Sequence, residues 1–315
     1  MMEHLIKDHA GHFAALLTAM FWTVTALTFA AASKKIGSMI VNLLRLIVGF
    51  LFLSVFIFFY RGLLFPVDAT AREWFYLSLS GLIGFVFGDL CLFQAFVVIG
   101  PRISMLIMAL APPITALIGW IILGETLSLK SWIGMTLTIA GIALVVLRRH
   151  PKDENNGTFR RVRFNYPVWG ILLALGGALG QGAGLVLSKY GMGGFEPGTT
   201  GYDSFAATQI RVIAGIAGFS ILFTFLGFWK EAFRALTLRK PMLQLSLGAF
   251  FGPFLGVSFS LIAIKYADTG IAATIMAIVP ILIIPPSIIL YKEKVTFNEI
   301  VGAILAVSGV GIFFM

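Results

Sequence analysis

Residues Ile103–Leu127 read ISMLIMALAPPITALIGWIILGETL, a run long and apolar enough to cross a bilayer as one helix, since about 20 apolar residues suffice. It carries a proline pair, Pro112 and Pro113, near its middle and a glutamate, Glu125, at its far end. Ile271–Val295, IAATIMAIVPILIIPPSIILYKEKV, repeats it. A shift of 168 positions lays Pro112 on Pro280, Glu125 on Glu293, Met108 on Met276 and Ile103 on Ile271. The same shift lays Gly84 on Gly252, Gly88 on Gly256, Ala95 on Ala263, Gly134 on Gly302 and Gly141 on Gly309. The repeat therefore covers most of each half of the chain.

Composition points the same way. The chain has 315 residues, 59% hydrophobic and 12% charged, with mean hydropathy +0.97. A water-soluble domain cannot hide that much apolar surface, so the lipid bilayer must take it up. The net charge of +9 sits mostly between apolar runs, which reads as an orientation signal and contact with anionic head groups. No compact soluble module carries the charge, so nucleic-acid binding is not expected. The single cysteine, Cys91, excludes an internal disulfide. The first eleven residues are polar and lead into a full apolar run without an A-x-A cleavage site, so a retained helix is expected in place of a signal peptide.

Ten spans can be drawn between charges, glycines and prolines. Five are Phe13–Ala32, Ile40–Phe59, Trp74–Ile99, Ile103–Leu123 and Trp132–Leu147. The other five are Val168–Leu187, Phe205–Phe228, Leu243–Ile264, Ile271–Leu290 and Ile300–Phe314. The expected organisation is a first five-helix repeat over 1–147, a basic polar linker over 148–166 (RRHPKDENNGTFRRVRFNY) and a second repeat over 167–315. Two similar halves with an odd number of spans must sit upside-down to one another. The expected fold is thus all-α and integral to the membrane, with ten transmembrane helices as two inverted five-helix repeats. Secondary transporters recurrently use this plan, with the substrate site near the midplane between halves.

At this point the residues resemble a family. Trp22 in the first span, Arg45 in the second and the string Ala109, Pro112, Leu123, Gly124, Glu125, Leu127, Ser128, Gly134 and Gly141 are similar to the drug/metabolite transporter superfamily, in its EamA-type ten-helix branch. The second half keeps Pro280, Glu293, Gly302 and Gly309 but has Tyr291-Lys292 before its glutamate. The resemblance implies a secondary carrier with a central cavity lined mainly by spans 1, 3, 4, 6, 8 and 9. It also implies that both termini are inside. The charge count disagrees. With the amino terminus inside, six Lys and Arg would face the cytoplasm and fifteen the other side. The positive-inside rule favours both termini outside, and that orientation is the one expected here. The location expected is the plasma (bacterial inner) membrane.

Asp89 is the sharpest functional candidate, deep in GFVFGDLCLFQAF. An ionised carboxylate there costs ~2.5–3.5 kcal/mol on insertion scales, so it must be protonated, paired or open to a wet cavity. A carboxyl that can take up a proton is a candidate coupling group; static pairing with an arginine is the plainer alternative. Arg45 and Arg211 hold similar places in spans 2 and 7. Either could neutralise Asp89 or an anionic substrate, but snorkelling to the head groups is the simpler expectation. Gln94, Gln181 and Gln209 could orient a polar metabolite or merely bond between helices. Gln181, among the glycines of GGALGQGAG, ranks above Gln209. Trp22 lies near Thr18, Thr23 and Thr25 and could stack on a substrate. Pro112, Pro113, Pro280, Pro285 and Pro286 break the helix ladder and are candidates for hinges or cavity shaping. Glu125 and Glu293 read as structural locks at helix ends.

His4, His9, His12 and His150 make no metal pattern, and no phosphate loop or nucleophile set is present. No cofactor, no metal and no enzymatic activity are therefore expected. The function expected is secondary transport, as an exporter, of a small metabolite such as an amino acid or similar amphipathic compound. Alternating access with the proton as candidate coupling ion is the mechanism, in a monomer or homodimer. The alternatives are a flippase for a lipid-linked head group and a non-transporting membrane scaffold.

Overall fold

The computed structural model describes residues 2–123, 128–149, 162–164, 166–193, 201–266, 272, 275–292 and 295–314. Glu125, Glu293, Ile271 and the centre of the 148–166 linker lie outside them. Helix α1 is Met2–Ile36 and α2 is Ser38–Arg61. Helix α3 is a continuous rod of three parts: Ala71–Gly81 α-helical, Leu82–Asp89 π-helical and Leu90–Val98 α-helical. Helix α4 joins Pro101–Ile107, a 3-10 turn at Met108–Leu110 and Ala111–Leu123. Helices α5 (Leu129–Val146), α6 (Val168–Met192) and α7 (Ser204–Leu226) follow. Helix α8 (Arg239–Tyr266) contains a π segment at Phe250–Gly256. Helix α9 is divided into Val279–Leu282 and Ile284–Tyr291, and α10 is Phe297–Phe314.

The architecture is an all-α multi-helix membrane fold. By length and composition, α1, α2, α3, α4, α6, α7 and α8 can each cross a bilayer, while α5, α9 and α10 are shorter apolar helices. Bulky apolar side chains such as Phe59 and Phe225 point outward, 81% and 84% exposed, as a lipid-facing surface requires. Local chemistry sets the ends. Gly37 and Gly62 adopt positive φ on either side of α2, a backbone state open to glycine at little cost. Thr70 and Glu73 form a reciprocal capping box at the start of α3, and Asp203 caps α7 through the Phe205 and Ala206 amides.

Four features depart from the sequence reading. The first helix extends beyond the expected span Phe13–Ala32, because α1 runs from Met2 to Ile36. The linker is not wholly irregular: β1 (Leu147–Arg149) and β2 (Val162–Phe164) pair antiparallel, with Leu147 opposite Phe164. A short helix, Trp229–Leu236, lies between α7 and α8. The prolines open new helical segments and do not interrupt one. Pro112 and Pro113 follow the 3-10 turn at the start of Ala111–Leu123, and Pro280 and Pro285 stand in the first turns of the two pieces of α9. A missing amide hydrogen costs nothing there.

Glycines set the closest helix crossings. A Cβ on Gly141 of α5 would stand 2.7 Å from the Gly302 oxygen of α10, and one on Gly309 of α10 would stand 2.7 Å from the Gly134 oxygen of α5. Thr138 Oγ1 donates to the Ala306 carbonyl between them, at 3.2 Å and 168 positions apart. Helix α3 meets α6 in the same way, since a Cβ on Gly88 would lie 3.0 Å from the Gly180 Cα. The counterpart glycine Gly256 of α8 instead receives the indole of Trp22 on α1, where a Cβ would lie 2.9 Å from Nε1.

Polar clusters tie the surface connections. Arg102 at the start of α4 bonds Glu299 of α10 at 2.7 Å, and the Tyr166 hydroxyl donates to the other Glu299 oxygen at 2.9 Å. Elsewhere, Arg61 pairs with Asp68 at 2.5 Å, the Tyr202 hydroxyl donates to Asp68 at 3.2 Å, and Lys265 Nζ donates to the Gly201 carbonyl at 2.9 Å. Burial, with the neighbouring Asp68, pushes the Tyr202 phenol up to about 12. Its folded value lies above the ordinary ~10, so the unfolded chain releases its proton first. The stabilisation is full below pH ~10 and is lost as pH rises toward 12. A pH series of thermal melts checks this: wild type should lose more midpoint between pH 10 and 12 than Tyr202→Phe, and parallel curves would refute the assignment.

Candidate functional site

The helices enclose two adjoining chambers that share Trp22, Met105, Met108 and Gln181. One, of about 630 Å³, is polar at its wall, where Arg45, Asp89 and Arg211 meet Phe85, Phe93, Pro253 and Ser260. The other, of about 530 Å³, is apolar and lined by Met276, Pro112, Pro280, Val279 and Leu185, with Thr115 on one side. The helices expected to line a cavity, α1, α3, α4, α6, α8 and α9, all do so. Helices α2 and α7 join them, each contributing an arginine.

The polar wall is built from α2 and α3. Asp89 closes the π segment of α3, and its Oδ2 accepts from Arg45 Nη2 at 2.5 Å. Arg45 is 3% exposed and Asp89 15%, so the carboxylate keeps one side toward the chamber. Arg45 Nε donates to Asn42 Oδ1 at 3.1 Å, while Asn42 Nδ2 donates to the Asp89 main-chain carbonyl at 3.3 Å. Asn42 thus bonds to both partners of the pair. The guanidinium also lies over the Phe93 ring, 4.6 Å from its centroid, where the ring quadrupole favours a cation. A π segment widens the helix by one residue per turn and is common at functional sites. Here it ends on the acid, and Gly84 and Gly88 within it let neighbouring groups approach closely.

Arg211 comes from α7. It is 3% exposed and stands over Phe85 at 4.9 Å, and its Nε is buried with no hydrogen-bond partner. Snorkelling is therefore overturned for both arginines: each points inward to the chamber. The two differ in partner: Arg45 holds a carboxylate, and among the described residues the Arg211 side chain has no ion-pair or hydrogen-bond partner. Gln181 and Trp22 stand where the chambers meet. Gln94 does not line either chamber; it accepts from the Ser38 hydroxyl at 2.6 Å. Gln209 is a helix-to-loop tie, donating to Ser54 and to the Leu64 carbonyl. The threonines of α1 bond back to their own helix, Thr25 to Phe21 at 2.8 Å among them. Pro113, Pro285 and Pro286 line neither chamber, whereas Pro112 and Pro280 line the apolar one.

Sequence reasoning missed Pro253, Asn42 and the methionine pair Met105 and Met108. Pro253 could have been found, because the 168-position shift lays it on Phe85, and both residues line the polar chamber. No group of three or more His, Cys, Asp or Glu side chains able to hold a metal occurs among the described residues.

Removing one member of a buried ion pair strands the other, at a cost of about 3–5 kcal/mol. Arg45→Gln and Asp89→Asn should each lower stability by this order in thermal or denaturant unfolding of the solubilised protein. The double variant should cost less than the sum of the two. Strict additivity would contradict the pairing.

The model of the EamA-like transporter family matches the chain twice, over residues 9–147 and 168–315. The chain is 24% identical over 202 residues to the "Uncharacterized transporter YvbV" of Bacillus subtilis (strain 168), an overlap of 63% of this chain and 58% of that protein's length. A solved crystal structure superposes with TM-score 0.61 across 96% of both chains at 15% identity, which establishes a shared fold. A multi-helix membrane protein with a partly charged chamber at its centre and two matches to one transporter model, this chain belongs to the EamA-like transporter family.

Proposed function

We propose that the protein is an exporter of a small metabolite, such as an amino acid or similar amphipathic compound, working by alternating access. In this reading all ten helices cross the membrane, as two five-helix halves of opposite orientation. Three observations support it. Thr138 and Ala306, 168 positions apart, touch, and the contact of Gly141 with Gly302 returns as Gly309 with Gly134. Contacts that exchange in this way are what a two-fold relation between the halves requires. The π segments of α3 and α8 fall at positions related by the same shift. Both halves contribute walls to one central cavity, as in inverted-repeat carriers.

The observation that carries the reading is the Arg45–Asp89 pair opening on that cavity. An ionisable pair at membrane depth is costly unless it has work to do. Asp89 is read as the coupling group: proton uptake by its carboxylate would loosen its hold on Arg45 and join α2–α3 motion to cargo. The connections carrying Arg148, Arg149, Lys230, Arg234, Arg239 and Lys240 are read as cytoplasmic. The exposed Phe233 and Leu236 of the Trp229–Leu236 helix, beside Lys230 and Arg234, suit the head-group region there. The termini then lie outside.

Proteoliposomes loaded with a mixture of radiolabelled amino acids test the proposal. A gradient of about one pH unit supplies about 1.4 kcal/mol per proton and should accelerate efflux from wild type. Asp89→Asn should lose that acceleration. Wild-type flux and pH dependence in Asp89→Asn would remove Asp89 from coupling, and absence of flux for every amino acid would remove this substrate class.

A further inference from the structure

We infer that Arg211 is the anchor for an anionic head group, so that the cargo carries a carboxylate on an apolar body. The inference rests on the transport reading, because it takes the central cavity as the cargo site. Among the described residues, three charged side chains line the polar chamber: Arg45, Asp89 and Arg211. Arginines keep their charge at neutral pH. Arg45 is matched by Asp89 at 2.5 Å, and its Nε is taken by Asn42. Among the described residues that leaves Arg211 with no hydrogen-bonded acid: Asp89 acts on it only through space, and two cations share one carboxylate.

The same side chain lacks an acceptor. Its Nε is buried and unbonded, and the Phe85 face 4.9 Å away accepts no conventional hydrogen bond. A buried donor without a partner carries a desolvation cost that an arriving acceptor relieves. The position is built for the guanidinium. A Cβ on Gly81 would come within 2.9 Å of the Arg211 Cα, so only glycine lets α7 approach α3 there. A Cβ on Gly84 would stand 3.2 Å from Nη2, so that glycine leaves the guanidinium its room. A planar fork of N–H donors matches a carboxylate in two bonds.

Beside it, the second chamber offers Met105, Met108, Pro112 and Pro280 to an apolar body, with Trp22 and Gln181 at the junction. Methionine and tryptophan adapt to aromatic or branched shapes. An amine alone would meet excess positive charge, and a neutral amide would leave the guanidinium unmatched. A carboxylate satisfies both the charge and the orphaned donor.

Four probes sharing one ring separate these cases: 3-phenylpropanoate, 3-phenylpropanamide, 2-phenylethylamine and L-phenylalanine. Binding is read by ligand-induced thermal shift, on wild type, Arg211→Gln and Arg211→Lys. The two carboxylates should stabilise wild type, and the amide and the amine should not. Arg211→Gln should weaken carboxylate binding by about 30-fold or more, and Arg211→Lys should recover part of it. An Arg211→Lys protein that melts like wild type without ligand certifies the fold.

Stabilisation by the amine alone, an undiminished carboxylate shift in Arg211→Gln, or no shift with any probe would overturn the inference. Counterflow of radiolabelled 3-phenylpropanoate, run beside counterflow of radiolabelled 2-phenylethylamine, separates the two layers. Binding without movement would leave the anion site standing and remove transport, whereas movement of the amine in place of the acid would keep transport and remove the anion site.

Discussion

A carboxylate and a guanidinium facing each other in an apolar bundle constrain everything around them. Neither Asp89 nor Arg45 could be buried alone, because an isolated charge at membrane depth is costly. Their 2.5 Å contact needs α2 and α3 to cross at one level, with Asn42 bonded to both and Phe93 under the cation. The pair is also partly wet, since Asp89 retains access to the chamber. It therefore ties two helices together and at the same time presents a polar surface to the cavity.

The surrounding helices have the means to change their packing. Helices α4 and α9 are segmented at their prolines, so a change of angle can occur between pieces that stay helical. In the proposed arrangement these devices recur in both halves, as do the π segments of α3 and α8. The two halves differ where the chemistry differs: Asp89 ends the π segment of α3, whereas the corresponding position after the α8 segment is Val257, also on the chamber wall. At this pair of positions the first half carries a carboxylate and the second an apolar side chain, while each half contributes one arginine to the chamber.

Much of this was legible in the residues. Apolar run lengths, glycine and proline punctuation and the 168-position repeat mark the helices, because a bilayer imposes length and polarity directly on sequence. Asp89 stood out for the same reason. Its partner was one of two candidate arginines, and the residues did not decide between pairing and snorkelling. Whether Arg45 snorkels or turns inward depends on helix rotation, which hydropathy along α2 does not encode. The π segments were hidden because LIGFVFGD and FFGPFLG are as apolar as any α-helical neighbour. The paired glycines of these segments were the available signal. Gln94, five residues beyond Asp89, turns away from the chamber to Ser38. The Arg102–Glu299 tie was invisible, since it joins residues 197 positions apart at ends where sequence reading is least sharp.

The proposed movement is tested most directly by pulsed electron spin resonance distances, in a Cys91→Ser background reconstituted in lipid. One label pair, at Val67 and Tyr266, joins the two halves on one surface; a second, at Lys35 and Phe297, joins them on the other. All four positions are exposed. Adding a transported compound or shifting the pH should lengthen one distance while shortening the other. Distances that stay fixed, or that widen together on both surfaces, would contradict alternating access about the central chamber.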